Sequence, residues 1–214
     1  MIYDITPLIS QRLKVWPGDT PPTREVLCDL KQGANITLST LRSTVHLGAH
    51  ADAPSHYGAN GPAIHERSLE YYLGPCQLIR VAAAPARSLR PEDVRGMVVS
   101  PRLLIDTGSY PDAERFTEDF ASLTPELVDW LHERGVILIG LDSPSVDPFS
   151  SKDLPAHHAF LRHDMAILEG LMLKSVPEGL YELIALPLKL EGFDASPVRA
   201  VLRPFGGSVA ARPE

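Results

Sequence analysis

Short apolar runs separated by proline and glycine dominate the chain, which predicts many short elements and turns. The runs at 77–83, 102–106 and 136–141 have the length and composition of buried β-strands. Residues 124–126 read Thr-Pro-Glu: a capping hydroxyl, a proline suited to the first helical position and a carboxylate that complements the helix dipole. A helix that begins there and ends at Gly135 would connect two strands, as in a crossover unit.

Both ends of the chain contain further strand-like runs. The runs at 24–31 and 36–42 flank Gly33 and predict a pair of strands. Together with the crossover unit, they predict a single α/β domain over residues 1–214, with a mixed, strand-rich sheet and few helices. The other predicted elements are strands at 2–9, 171–176, 181–188 and 198–205 and a helical turn at 69–73.

One short stretch concentrates side chains that bind metal ions. His46, His50, Asp52 and His56 occupy even-numbered positions, so an extended strand would place them on one face. Imidazole and carboxylate are ligands of divalent metals such as zinc. A flat strand would separate His46 from Asp52 by roughly 20 Å, too far for one ion, so the backbone must bend near Gly48. A helix is disfavoured because it would turn Asp52 away from the two histidines that it aligns.

A second group of polar residues lies between residues 152 and 170. His157 and His158 are adjacent and point differently on any regular element, so we expect only one of them to be a ligand. The residues alone do not choose between the two. Glu169 follows an apolar run and precedes Gly170, so we expect it to be buried and either to bind a metal or to pair with a base. The two groups are predicted to meet in one site.

Trp16 lies before Pro17 and Gly18, so it is expected to be held in a turn. Two interpretations of this tryptophan stay open at this point. It either anchors a surface loop on the domain or forms an apolar wall of a pocket.

Composition and charge narrow the class of protein. With 44% hydrophobic and 22% charged residues, the chain has the composition of a soluble globular protein. Its net charge of −7 argues against a nucleic-acid partner, and no apolar run approaches the roughly 20 residues of a membrane span. Cys28 and Cys76 lie far apart, and the N-terminus lacks the features of a signal peptide. We therefore expect a protein of the reducing cytoplasm.

The residues from His46 to His56 match the pattern HxGxHxDxPxH and resemble the signature of the cyclase-like metal-dependent hydrolases. More narrowly, the chain is similar to the bacterial kynurenine formamidases, or arylformamidases, nearly from end to end. The resemblance implies a swivelling β/α/β domain, a homodimer, and hydrolysis of N-formyl-L-kynurenine to L-kynurenine and formate in tryptophan degradation. The further segments that carry it are 16–19, 142–147, 151–158 and 167–171.

The resemblance also implies two divalent metal ions per subunit, usually zinc. By position in the motif, His46, His50 and Asp52 would hold the first ion, and Asp52 would bridge to the second. His157 would also bind the second ion, and this choice between the adjacent histidines comes from the resemblance alone. Glu169 would contact both ions.

By the same resemblance, His56 would be the acid/base residue and Trp16 would line the substrate pocket. The expected partner is a small molecule, with no nucleic acid and no membrane. Two alternatives stay open: another amide or lactam hydrolase of the superfamily, similar to isatin hydrolase, and a non-catalytic metal-binding module. His56 disfavours the module, because a storage or structural site needs no extra titratable base beyond its ligands.

Overall fold

The computed structural model describes residues 1–94, 96 and 98–205. Its centre is a nine-stranded mixed sheet, accompanied by two separate pairs of strands in this described part. No helix there is long and apolar enough to cross a membrane. The strands are β1 (Tyr3–Asp4), β2 (Thr23–Cys28), β3 (Leu38–Arg42), β4 (His50–Asp52), β5 (Leu73–Arg80), β6 (Ser88–Leu89), β7 (Arg102–Asp106), β8 (Ser122–Leu123), β9 (Leu138–Leu141), β10 (Ala166–Glu169), β11 (Gly179–Ile184), β12 (Ala195–Pro197) and β13 (Val201–Pro204). The α-helices are α1 (Pro91–Val94), α2 (Pro125–His132) and α3 (Pro155–His163).

The middle of the large sheet consists of the parallel strands β5, β7, β9 and β10. Helix α2 connects β7 to β9, so the predicted crossover unit is confirmed. The Thr124 side chain accepts a hydrogen bond from the Leu127 amide and caps α2, as predicted. Strands β11, β13 and β1 extend the sheet on one side with antiparallel pairing, and β4 and β12 extend it on the other.

Buried apolar side chains line the central strands on both faces of the sheet. One cluster includes residues of α2 and α3, such as Leu127, Leu131 and Phe160. A second cluster contains buried residues from loops and turns, such as Tyr72 and Leu171. Strands that are buried on both faces read as continuous apolar runs, which explains why the sequence pattern locates β7 and β9.

The strand-rich α/β class, the mixed sheet and the β2–β3 pair are confirmed. The predicted strand at 171–176 is wrong, because these residues form a loop. Leu171, Leu173 and Val176 are buried in that loop, so their apolar character reflects burial without strand pairing. Helix α3 is absent from the predicted elements because small alanines and His157 share its buried face with only one large apolar residue, Phe160.

Candidate active site

Strand β4 carries two of the candidate ligands. His50 and Asp52 are two residues apart on this strand, so their side chains project from the same face. Glu169 on the neighbouring strand β10 lies directly opposite His50 and projects from that face as well. His50 Nε2 lies 3.3 Å from Glu169 Oε2 and 3.4 Å from Asp52 Oδ1, and all three residues are buried. Strand pairing therefore brings the two groups of polar residues together, as predicted.

The chain bends just before β4, at Gly48, whose φ of 57° lies in the left-handed region. With the chain bent here, the His46 side chain lies close to that of Asp52, and His46 Nδ1 is 3.1 Å from Asp52 Oδ1. The Gly48 carbonyl oxygen also accepts a hydrogen bond of 2.8 Å from His50 Nδ1. That bond leaves Nε2 of the same ring facing the carboxylates. The bend predicted from the distance argument is thus present at the expected glycine.

Helix α3 brings His157, and not His158, to the cluster. The Asp147 carboxylate accepts hydrogen bonds from the backbone N–H groups of Ala156 and His157 at the start of the helix. It also accepts a hydrogen bond of 2.7 Å from Nδ1–H of the His157 ring. The ring therefore directs Nε2 inward, 3.5 Å from Asp52 Oδ2. His158 is exposed. No local pattern in the sequence indicates this role of Asp147, because its contacts with the helix start and with the ring form only in the folded chain.

The Asp194 carboxylate forms hydrogen bonds with two histidine rings of the site. Its Oδ2 lies 3.0 Å from His46 Nε2 and 3.3 Å from His56 Nδ1. His56 ends the 3₁₀ turn Pro54–His56 that follows β4, and its ring centroid is 4.2 Å from that of His46. No motif or spacing in the sequence connects Asp194 with the histidines. The pairing of β12 with β4 brings it there.

The buried carboxylates and imidazoles hold one another in their charged forms. Burial opposes protonation of His50 and His157, but the adjacent carboxylates outweigh this effect and raise the pKa of each ring to about 10. Burial also opposes ionisation of Asp52, yet the adjacent imidazoles of His157, His46 and His50 hold its pKa well below the usual range. The site therefore attracts positive charge, whether from protons or from a metal ion.

Three buried atoms of the cluster form no hydrogen bond with any residue that the structure describes: His50 Nε2, Asp52 Oδ1 and Asp52 Oδ2. Each such atom costs roughly 1–3 kcal/mol if it stays unsatisfied. Ligand atoms of His50, Asp52 and Glu169 all lie within 4.8 Å of one another, and so do those of His46, Asp52 and His56. Nitrogen and oxygen ligands of this kind fit divalent metal ions, and Asp52 belongs to both sets.

A cavity of about 490 Å³ is lined by residues of the cluster together with aromatic and aliphatic side chains. Trp16 is one of the lining residues. Its ring centroid lies 4.9 Å from that of Phe149, 5.7 Å from Phe116 and 6.1 Å from Phe120. The two interpretations of this tryptophan therefore both apply: it is anchored on other aromatic rings, and it forms part of the cavity wall. A volume of this size is typical of a small-molecule site.

Comparison with known proteins agrees with this geometry. The profile of the Cyclase family matches residues 3–148, a segment that contains strand β4 and the bend before it. The chain belongs to the Cyclase family. One curated relative, the kynurenine formamidase of Bordetella petrii, is 46% identical over 207 residues, which cover 96% of this chain and 99% of the relative.

Two solved structures show the same fold as this Cyclase family member. A potential metal-dependent hydrolase with cyclase activity has a TM-score of 0.82 and 27% identity, covering 94% of this chain and 96% of that protein. A predicted metal-dependent hydrolase from Bacillus stearothermophilus has a TM-score of 0.80 and 28% identity, and the match covers 94% of this chain and 97% of that protein. The shared fold thus extends over nearly the whole length of both neighbours.

Proposed function

We propose that the chain is a formamidase that hydrolyses N-formyl-L-kynurenine to L-kynurenine and formate. The observation that carries this proposal is the 46% identity with the kynurenine formamidase of Bordetella petrii over nearly the full length of both proteins. In this reaction the amide C–N bond breaks. The oxygen of water joins the formyl carbon, and the aromatic nitrogen receives a proton.

We infer that Asp52 would help to hold two divalent metal ions, one at each of its oxygens, with zinc as the expected metal. His46 and His50 would complete the ligands of the first ion, His157 would bind the second, and Glu169 would contact both. When bound, such ions make a water molecule more acidic and polarise a carbonyl group. The support is the position of Asp52, whose Oδ1 faces His46 and His50 while its Oδ2 faces His157.

We propose that His56 transfers the protons of this reaction. Its side chain is 35% exposed and lines the cavity, whereas His50 and His157 are buried. Because its Nδ1 faces Asp194, Nε2 is the ring nitrogen left for the substrate. An aromatic amine leaves readily only when its nitrogen is protonated. His56 Nε2 can accept a proton from the attacking water and deliver it to that nitrogen.

Trp16 is proposed to bind the aromatic ring of the substrate. The formyl group is small, so selectivity must come from contacts with the rest of the molecule. An indole anchored on other rings offers a rigid apolar surface for an aryl group. We expect Trp16→Ala to raise KM several-fold. The matched control is Trp130→Ala on α2, because Trp130 packs against Arg134 and does not line the cavity.

Initial rates with N-formyl-L-kynurenine, isatin and formanilide, measured on metal-loaded protein, test the assignment. We expect kcat/KM to be highest for N-formyl-L-kynurenine. A higher value for isatin would instead support a lactam hydrolase. Hydrolysis of none of the three compounds would support the non-catalytic metal-binding module.

The homodimer is proposed on the evidence of the β2–β3 hairpin. This pair forms a sheet of its own, and two strands alone are marginally stable in water. Four of its large apolar side chains are between 47% and 60% exposed, namely Val26, Leu27, Leu38 and Leu41. An exposed apolar group of this kind indicates a surface that another protein covers. We propose that a second copy of the chain covers it.

Light scattering after size-exclusion chromatography tests the dimer. The native protein should elute as a dimer, and Leu41→Lys in the hairpin should shift it towards monomer. Leu180→Lys on β11 is the matched control, because Leu180 is 53% exposed outside the hairpin. A monomeric native protein, or equal effects of both variants, would contradict the proposal.

The remaining expectations concern compartment and partners. Cys28 and Cys76 form no disulfide, which supports the proposed location in the reducing cytoplasm. The absence of a nucleic-acid partner stays a prediction from the net charge of −7.

A further inference from the structure

The Asp194 carboxylate contacts two histidines that have different roles in the proposed reaction. One oxygen, Oδ2, lies 3.0 Å from His46 Nε2 and 3.3 Å from His56 Nδ1. A carboxylate oxygen shared by two ring nitrogens at these distances accepts a hydrogen bond from each, so both nitrogens act as donors. The contacts therefore fix a proton on His56 Nδ1.

Main-chain pairing holds Asp194 in this position. Its carbonyl oxygen accepts a hydrogen bond of 2.8 Å from the Ala53 amide. The next residue, Ala195, lies opposite Asp52 in the β12–β4 pair. The turn that carries His56 follows β4 directly. The carboxylate and the His56 ring are thus attached to the same pair of strands. The Asp194 side chain is 47% exposed, so its truncation leaves no buried cavity.

A free imidazole exchanges between two tautomers, and its ring can also rotate about the side-chain bonds. Only a ring with its proton on Nδ1, and with Nδ1 turned away from the substrate, presents the unprotonated Nε2 as a base. The contact with Asp194 selects both features at once. The same carboxylate accepts a hydrogen bond from Nε2–H of His46, so Nδ1 of that ring faces Asp52. Carboxylates in this position commonly orient the histidine ligands of metals.

We propose that Asp194 is a positioning residue that holds His56 in the Nδ1–H tautomer with Nε2 towards the substrate, and links this ring to His46. The proposal rests on the proposed function in so far as His56 transfers the protons of amide hydrolysis. It adds a residue to the site that neither the metal-binding motif nor the predicted ligand set contains. Asp194 acts through the two rings and is not among the residues that line the cavity.

Kinetics of Asp194→Ala at saturating zinc test the first consequence. We expect kcat for N-formyl-L-kynurenine to fall about 10- to 100-fold with little change in KM, because the general base is misplaced while the aryl pocket stays intact. Asp194→Asn should recover part of kcat, because its amide oxygen still accepts a hydrogen bond. Glu191→Ala, an exposed acidic residue on the same loop, is the matched control and should behave as the native protein.

A double variant separates positioning from a general structural effect. At saturating zinc, Asp194→Ala should lower kcat no further in a His56→Ala background, because the ring that it positions is gone. The zinc affinity of Asp194→Ala should also fall about tenfold through His46, as measured by competition with a chelating dye. A further loss of kcat in the double variant, or a native kcat in Asp194→Ala at saturating zinc, would overturn the proposal.

The tautomer can be observed without any reaction. ¹⁵N spectra of histidine-labelled zinc protein, assigned by comparison with His56→Ala, should show Nδ1 of His56 protonated in the native protein and in Glu191→Ala. Asp194→Ala should lose this preference. A native tautomer in Asp194→Ala would contradict the inference even if the protein hydrolyses the substrate. The expected shift in a protein that does not hydrolyse N-formyl-L-kynurenine would instead show that the proposed function alone is wrong.

Discussion

A β-carbon on Gly170 would stand 2.3 Å from the carbonyl oxygen of Gly48. Gly48 is the bend before His50, and Gly170 directly follows Glu169. The two segments that carry these candidate ligands therefore approach each other backbone to backbone, which a side chain at position 170 would prevent. Both glycines also have φ angles in the left-handed region, 57° and 67°. A substitution that separates these two backbone segments would therefore both destabilise the fold and displace the candidate ligands.

Gly170→Ala should lower the free energy of unfolding by at least about 3 kcal/mol, because backbone strain adds to a clash with main-chain atoms. Gly192→Ala is the matched control. Gly192 has a φ of 76° but no atom within 4 Å of an added β-carbon, so only strain of about 1–2 kcal/mol applies. Urea denaturation of the metal-free proteins measures both values. Equal losses would show that the close approach to Gly48 is unimportant.

Asp52→Ala should lower the occupancy of both metal ions, because each oxygen of this carboxylate faces a different part of the cluster. Elemental analysis after dialysis against a low concentration of zinc measures occupancy. Circular dichroism should show a folded protein. Full retention of one ion with loss of the other would argue against a bridging carboxylate.

His56→Ala should reduce kcat by about 10²- to 10⁴-fold, the usual contribution of a general acid or base, and should leave the metal content nearly unchanged. His132→Ala serves as the control, because His132 is exposed on α2 and stacks on His163 away from the cluster. Kinetics and elemental analysis on the same samples check both statements. Loss of metal together with activity would identify His56 as a ligand, which its grouping with His46 and Asp52 also permits.

His157→Ala and His158→Ala should behave differently although the residues are adjacent. Truncation of the buried His157 should lower zinc affinity and activity, because its Nε2 faces Asp52. Truncation of the exposed His158 should leave both within about twofold of the native values, as for most surface positions. Zinc titration with a competing chelator compares them. Equal effects of the two substitutions would contradict the orientation of α3.

Zinc binding near pH 7 should release at least about two protons, one from each ring whose pKa is raised to about 10. Both pKa values lie above the unfolded value of about 6.5, so in metal-free protein the stabilisation is complete below that pH and is lost as the pH rises towards 10. Zinc affinity should change in the opposite sense and rise with pH between 6 and 8. Calorimetry in two buffers of different ionisation enthalpy counts the protons. Binding without proton release would show that His50 and His157 are neutral before the metal arrives.

Local sequence patterns predict those parts of the site that are formed by residues close to one another in the sequence. The spacing of His50 and Asp52 indicates a shared strand face, and the length of a flat strand requires the bend found at Gly48. The choice of His157 depends on where α3 begins, and that start is fixed by Asp147 through the folded chain. Asp194 reaches the site through the pairing of β12 with β4. No local pattern encodes such contacts between distant segments.

The most direct test follows N-formyl-L-kynurenine hydrolysis by one purified sample before chelation, after removal of metal, and after addition of zinc. The aromatic amine and formate should be measured together with the metal content. We predict that amine and formate appear in equal amounts, that chelation abolishes their release, and that activity returns as zinc approaches two ions per chain. Full activity in metal-free protein, or a fully zinc-loaded protein that releases neither product, would contradict the account.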